Sequence, residues 1–196
     1  VTIPNSVTEI GGWVFLGCQS LTSPICVGNH FVFMPPTYKG DYTIPENITQ
    51  IQGHAFYGCS SLTSVTLPDG LTEIGDWAFS GCSSLQKVAI PASVTSIGYN
   101  AFSNCSGLRS LTMGDGVSFI GASAFDDCSS LESITLSDSV KEIGWGMFSG
   151  CSALTSLEIP NGVTSIGNGA FAQCSSLSSV TIPNSVTEIG GWVFLG

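Results

Sequence analysis

The sequence is poor in charge. Only 9% of its 196 residues are charged, and four Lys and Arg stand against 14 Asp and Glu, leaving a formal charge of −10. So acidic a surface repels phosphate backbones and anionic lipid headgroups, which disfavours nucleic-acid and membrane-surface binding. Histidine is scarce as well. His30 and His54 make a meagre stock of general bases, and the many serines come without a G-x-S-x-G elbow or a nearby His and Asp. No run of 18 or more apolar residues occurs, and no charged stretch followed by an apolar core opens the chain, so no membrane span or targeting segment is expected. Cysteines at metal-binding spacing such as C-x-x-C are also missing, so neither a zinc site nor another cofactor is expected. These absences point away from an enzyme.

What is present is a repeat. With 43% apolar residues the chain has material for a core, and that material recurs at a fixed interval. Cys59, Cys82, Cys105, Cys128, Cys151 and Cys174 stand 23 residues apart; Cys18 precedes Cys59 by 41, one unit plus an 18-residue insertion, Pro24 to Asp41. The unit Cys59 to Gly81 reads CSSLTSVTLPDGLTEIGDWAFSG. Ile10, Ile51, Ile74, Ile97, Ile120, Ile143, Ile166 and Ile189 fill one column, and eight of 11 phenylalanines, among them Phe79, Phe102 and Phe125, fill another. A 23-residue unit cannot bury such a face alone, so units must stack and cover one another along a continuous core.

Within the unit, Val65 and Leu67 alternate with Thr66, the period of a strand, and Leu62, Val65 and Leu67 match the L-x-x-L-x-L strand of leucine-rich repeats. A proline follows at Pro4, Pro45, Pro68, Pro91, Pro160 and Pro183, where ladder pairing stops, and Asp69-Gly70 or Asn161-Gly162 turns the chain. Leu71 to Ile74 predicts a second, shorter strand ended by Gly75. The stretch Asp76 to Cys82, with Ala78 and Phe79 inward, predicts one helical turn on the far flank. The expected fold is therefore an α/β solenoid of about eight rungs, a single domain over 1–196, with a parallel β-sheet on one face and short strands or helical turns on the other.

The pattern C-x-x-L-x-x-[VIL]-x-[IL]-P-x-x-[VL]-x-x-I-G-x-x-A-F-x-x-C resembles the BspA-like, Treponema-type leucine-rich repeats of bacterial and protist surface proteins. The resemblance implies a curved solenoid, extracellular or on the cell surface, used in adhesion, aggregation or host-protein binding, with no catalysis. Departures are local: Gly114 and Ser137 replace the proline, Gln52 the glycine after Ile51, and Met147 the alanine before Phe148. The insertion is the larger one, and it puts in question whether the sheet continues through it.

Residues 1–17, VTIPNSVTEIGGWVFLG, recur without change at 180–196, 17 of 17, whereas Val65 to Gly81 matches the same stretch at only 10 of 17. The copies start 179 residues apart, seven units of 23 plus the insertion of 18. Cys18 to Gly196 thus reads as one super-repeat of a longer array, a filament or stalk of which this chain is a window. A recent duplication of one unit at two points is the alternative.

Several residues are candidates for contact or chemistry. The stacked cysteine column reads as buried free thiols packing like hydrophobes; neighbouring rungs lie within disulfide reach, but the side chains would point the same way. Cys26, off the column and four residues before His30, is either a packed insertion residue or a reactive thiol, an intermolecular bridge or a ligand. His54 takes the position of Trp13, Trp77 and Trp192 and reads as a surface variant. An outward row of Thr2, Thr43, Thr66, Thr112, Thr135 and Thr181, broken by Ala89 and Glu158, reflects β propensity or else an ice- or sugar-binding face. With Ser64, Ser110, Ser133, Ser156 and Ser179 beside it, the face suits lateral packing against another protein. Trp13, Trp77, Trp145 and Trp192 near the presumed helical flank are candidate interface anchors, and Phe31, Phe33, Met34 and Tyr38 of the insertion form an apolar patch that either makes contacts or caps the core. Asn47-Ile48-Thr49 and Asn104-Cys105-Ser106 are formal glycosylation sequons. The expected partners are proteins: further copies of the chain, or a surface or matrix protein.

Overall fold

The computed structural model describes residues 1–4, 6–7 and 9–196. Its first strands lie in the insertion, where β1 (Ile25–Val27) and β2 (His30–Phe33) form an antiparallel hairpin. From there each rung contributes two strands. The longer of each pair are β3 (Gly40–Thr43), β5 (Leu62–Thr66), β7 (Lys87–Ile90), β9 (Ser110–Met113), β11 (Ser133–Thr135), β13 (Ser156–Glu158) and β15 (Ser179–Thr181). The shorter are β4 (Gln50–Ile51), β6 (Glu73–Ile74), β8 (Ser96–Ile97), β10 (Phe119–Ile120), β12 (Glu142–Ile143), β14 (Ser165–Ile166) and β16 (Glu188–Ile189). All pair parallel with the equivalent strand one rung away, so that Ile51, Ile74, Ile97 and Ile120 lie side by side. The described residues therefore hold seven two-stranded rungs, where the sequence predicts about eight.

The core is continuous from Phe31 to Val193. Its spine is the phenylalanine column: Phe56 and Phe79 stack at 4.7 Å between ring centroids, Phe79 and Phe102 at 5.1 Å, and the file continues to Phe171 and Phe194 at 5.6 Å. Interplanar angles of 15° or less in this file show rings held parallel by the repeat itself. Backbones approach so closely that a Cβ on Gly98 would stand 2.5 Å from the nitrogen of Asp76, which explains glycine after the isoleucine. Gln52 escapes this limit because the insertion lies beneath it, and its Nε2 sits 2.7 Å from Nδ1 of His30.

The far flank corrects the expected helical turn. No helix forms there; the chain runs through consecutive β-turns, and the α component of the predicted class is absent among the described residues. Alternate amides explain it. Ala78, Ser80 and Cys82 donate three residues back, to Gly75, Trp77 and Phe79, while Trp77, Phe79 and Gly81 donate to the next rung, to the carbonyls of Tyr99 (2.8 Å), Ala101 (2.7 Å) and Ser103 (2.9 Å). A helix would keep every such amide for itself. Two residues per rung are left-handed. One column is Trp13, His54, Trp77, Asn100, Ser123, Gly146, Gly169 and Trp192; the other precedes each column cysteine and includes Gly58, Gly81, Asn104 and Asp127.

The insertion does not let the sheet pass. β2 pairs with β4, His30 opposite Gln50 and Phe31 opposite Ile51, and β1 closes the edge in the antiparallel sense. Phe31, not Phe15, lies on Phe56, 4.6 Å away and inclined by 7°. The amide of Met34 reaches the carbonyl of Ala55.

Candidate interaction surfaces

The hydroxyl row is built by the longer strands. Thr43 is in register with Thr66, Ala89 with Thr112 and Thr135, and Glu158 with Thr181, all exposed because Val65, Val88, Leu111, Ile134 and Leu157 take the inward positions. Thr2 is exposed but lies outside any strand, so the row begins at Thr43. The face carries little charge. Asp41 at its edge accepts a hydrogen bond from Thr63 at 2.6 Å, and the Thr63 and Ser64 hydroxyls hold its carboxyl below the usual range.

The tryptophans separate into two positions. Trp13, Trp77 and Trp192 occupy the left-handed column; Trp145 stands one residue earlier in its rung, in the column of Asp76 and Tyr99. Trp145 is 62% exposed and Trp192 75%, and Trp77 is half-buried. His54 is not a surface variant. It is 8% exposed because residues of one column lie side by side, which puts Trp13 at 3.6 Å from its ring and Trp77 at 5.2 Å. Burial pulls its pKa down, against the pull of the Asp76 carboxylate.

The insertion patch is also corrected as a contact surface. Phe31, Phe33 and Met34 are buried, since Phe31 takes the end of the phenylalanine file and the other two follow it inward. Tyr38 is half-buried and donates to the Asp41 carbonyl at 2.8 Å. An exposed pair that the sequence reading missed is Tyr99 and Phe119, 6.0 Å apart. Its signal was available: Phe119 stands in a column otherwise filled by Gln50, Glu73, Ser96, Glu142, Ser165 and Glu188.

All eight cysteines are free. The column thiols Cys82, Cys105, Cys128, Cys151 and Cys174 donate to the carbonyls of Phe56, Phe79, Phe102, Phe125 and Phe148 at 3.1–3.2 Å. Cys59 points instead at the carbonyls of Met34 and Pro35, the insertion's replacements for a preceding rung. Burial pushes the Cys59 thiol up to about 12 and that of Cys174 to about 11, and holds Cys82, Cys105 and Cys128 well above the ordinary thiol value. Cys18 and Cys26 are exposed. Among the described residues no three His, Cys, Asp or Glu side chains converge as a bound cation requires, and no helix is long and apolar enough to cross a membrane.

The sequence matches the family described as BspA type leucine rich repeat region in six copies, over residues 1–29, 29–152 and 98–196. Among solved structures it is similar to a leucine-rich repeat protein of Bacteroides ovatus, with 33% identity and a TM-score of 0.77, over 82% of this chain and 43% of that one. A leucine-rich repeat protein of Eubacterium ventriosum gives 28% identity and a TM-score of 0.79, over 86% and 46%. The leucine rich repeat protein of T. pallidum gives 32% and 0.66, over 78% and 79%. The chain thus spans less than half the length of the first two. No curated protein matches.

Proposed function

Because the chain belongs to the BspA-type leucine-rich repeat family, we propose that it is a non-enzymatic extracellular scaffold whose rungs form an adhesive, self-assembling array through protein–protein contacts. The observation that carries this reading is the in-register hydroxyl row from Thr43 to Thr181. Short, uncharged side chains lying flat on a sheet let a second protein approach without stripping water from ions. An oxidising location is compatible with eight free cysteines, because the column thiols are buried and resist ionisation, and the thiolate is the reactive form.

The test is association in solution. Native material in negative stain shows ordered filaments, and the double substitution Thr112→Lys with Thr135→Lys reduces sedimentation to that of the single chain while leaving the strand signal in circular dichroism unchanged. A chain that stays monomeric at high concentration overturns self-assembly. The array reading has its own check in the gene: a continuation past Gly196 that does not repeat Cys18 to Gly28 rejects the super-repeat.

A second reading, a surface adhesin that recognises one host or matrix protein, is favoured by the exposure of Trp145, Tyr99 and Phe119 on neighbouring rungs. Large aromatics left in water are the usual anchors of a specific interface. Trp145→Ala would abolish matrix binding under this reading and leave self-association intact.

A further inference from the structure

Between residues 13–19 and the insertion lies a cavity of about 320 Å³. One wall is Trp13, Phe15 and Leu16, the other Val32, Phe33 and Met34, with His54 and Tyr57 also lining it. The volume is at the small end of ligand pockets, near about 300 Å³, and the walls are apolar and largely aromatic. Phe15 and Phe33 meet across it with centroids 5.7 Å apart. Such a space suits a flat, mostly apolar body.

One polar group stands out among these walls. The His54 ring is more than nine-tenths buried, between Trp13 and Trp77, and its Nδ1 is buried with no hydrogen-bond partner. A buried ring nitrogen without a partner is costly to the fold, and a bound molecule that supplies the partner recovers the loss. With the proton on Nε2, Nδ1 offers a lone pair and calls for an N–H or O–H.

We propose that this cleft is a binding site for a small planar aromatic molecule carrying one hydrogen-bond donor, of the indole or phenol class, which packs between Trp13 and the insertion and donates to Nδ1 of His54. This goes beyond the scaffold role and does not depend on it. The insertion acquires a second consequence: besides ending the sheet, it supplies half of a pocket that uninterrupted rungs would have closed.

Indole and benzofuran, which share a shape and differ by N–H against a ring oxygen, separate the proposal from mere apolar filling. Titrated calorimetrically into the whole chain, indole binds saturably and benzofuran about tenfold more weakly, the fold-change of one hydrogen bond. His54→Phe brings indole down to the benzofuran affinity and leaves benzofuran unchanged; Trp13→Ala weakens both. Failure of the wild-type chain to bind indole, equal affinity for the two probes, or a His54→Phe variant that keeps the indole preference overturns the site. Circular dichroism checks each variant's fold, and should His54→Phe not fold, the wild-type comparison of the two probes decides alone.

Discussion

In the copy at 180–196, Glu188–Ile189 pairs with Ser165–Ile166, the amide of Gly190 donates to Ile166 at 2.8 Å, and Phe194 stacks on Phe171. In the copy at 1–17, with the same residues at every position, the described residues form no strand, and Phe15 packs against Phe33 of the insertion. Other features are shared. Val7 donates to Pro4 at 3.0 Å as Val186 does to Pro183 at 3.1 Å; Leu16 donates to Trp13 as Leu195 does to Trp192; and both tryptophans are left-handed. Turns are thus written in the 17 residues themselves, whereas strands come from the neighbour. The first copy lacks its neighbour because the insertion has taken the seat on the Gly40–Gly58 rung, with Phe31 on Phe56 and Met34 at Ala55. Stability in such a solenoid is a sum of weak rungs and strong interfaces, and the two copies display the two terms separately.

The contrast is broken most drastically by alkali. Unfolded thiols lose their protons near pH 8.5, whereas the six column thiols keep theirs, so the native state binds more protons and stability falls as pH rises from there toward the folded values. Each thiol removes about 1.4 kcal/mol per pH unit, on the order of 8 kcal/mol for six. The strand signal in circular dichroism therefore disappears between about pH 9 and 10; a spectrum unchanged to about pH 11 contradicts the buried column. Taking away the neighbour is the next largest effect. Phe171→Ala removes the ring under Phe194, costs about 3–5 kcal/mol in a denaturant titration, and makes the amides of 188–190 exchange as fast as those of the first copy.

Val193 and Val14 are the same residue in the two copies, 4% and 52% exposed. Val193→Ala should cost about 1.5 kcal/mol and Val14→Ala less than about 0.5 kcal/mol; equal costs would mean that the first copy is stacked after all. The smallest net change in stability, within about 1 kcal/mol, is expected from deleting residues 24–41, which joins Ser23 to Tyr42 in the 23-residue register. Phe31, Phe33 and Met34 are lost from the core while Ile10 and Phe15 enter it. The readout is amide exchange: Gly11 becomes protected as Gly190 is. If it stays unprotected, the insertion is not what displaces the first copy.

The columns were legible because the spacing of Cys59, Ile74 and Phe79 is a direct image of the stacking, and the shorter strand ending at Gly75 follows from the same alignment. The far flank was misread because Ala78 and Phe79, then Cys82, fall at offsets that one helical turn also produces. Gly81, Asn104 and Asp127 before the cysteines were a sign of left-handed backbone, which ends a helix, but the other left-handed column holds tryptophans, residues in which that conformation is rare. Burial of His54 was not readable at all, since its column is exposed at Trp192 and buried only where Trp13 and Trp77 enclose it. The insertion's aromatics were recognised as apolar, but nothing local to Phe31 says that it will stack on Phe56.

The bonds between turns on the far flank all run one way. From rung to rung, residues such as Trp77, Phe79 and Gly81 donate forward to Tyr99, Ala101 and Ser103, and the pattern persists to Gly169, Phe171 and Gln173. The peptide dipoles that carry these bonds therefore add along the axis in three parallel files, while those of the strands alternate and cancel. The solenoid is polarised lengthwise with its positive pole toward higher residue numbers, the reverse of an α-helix, so acidic side chains are favoured at the end where a helix would prefer basic ones.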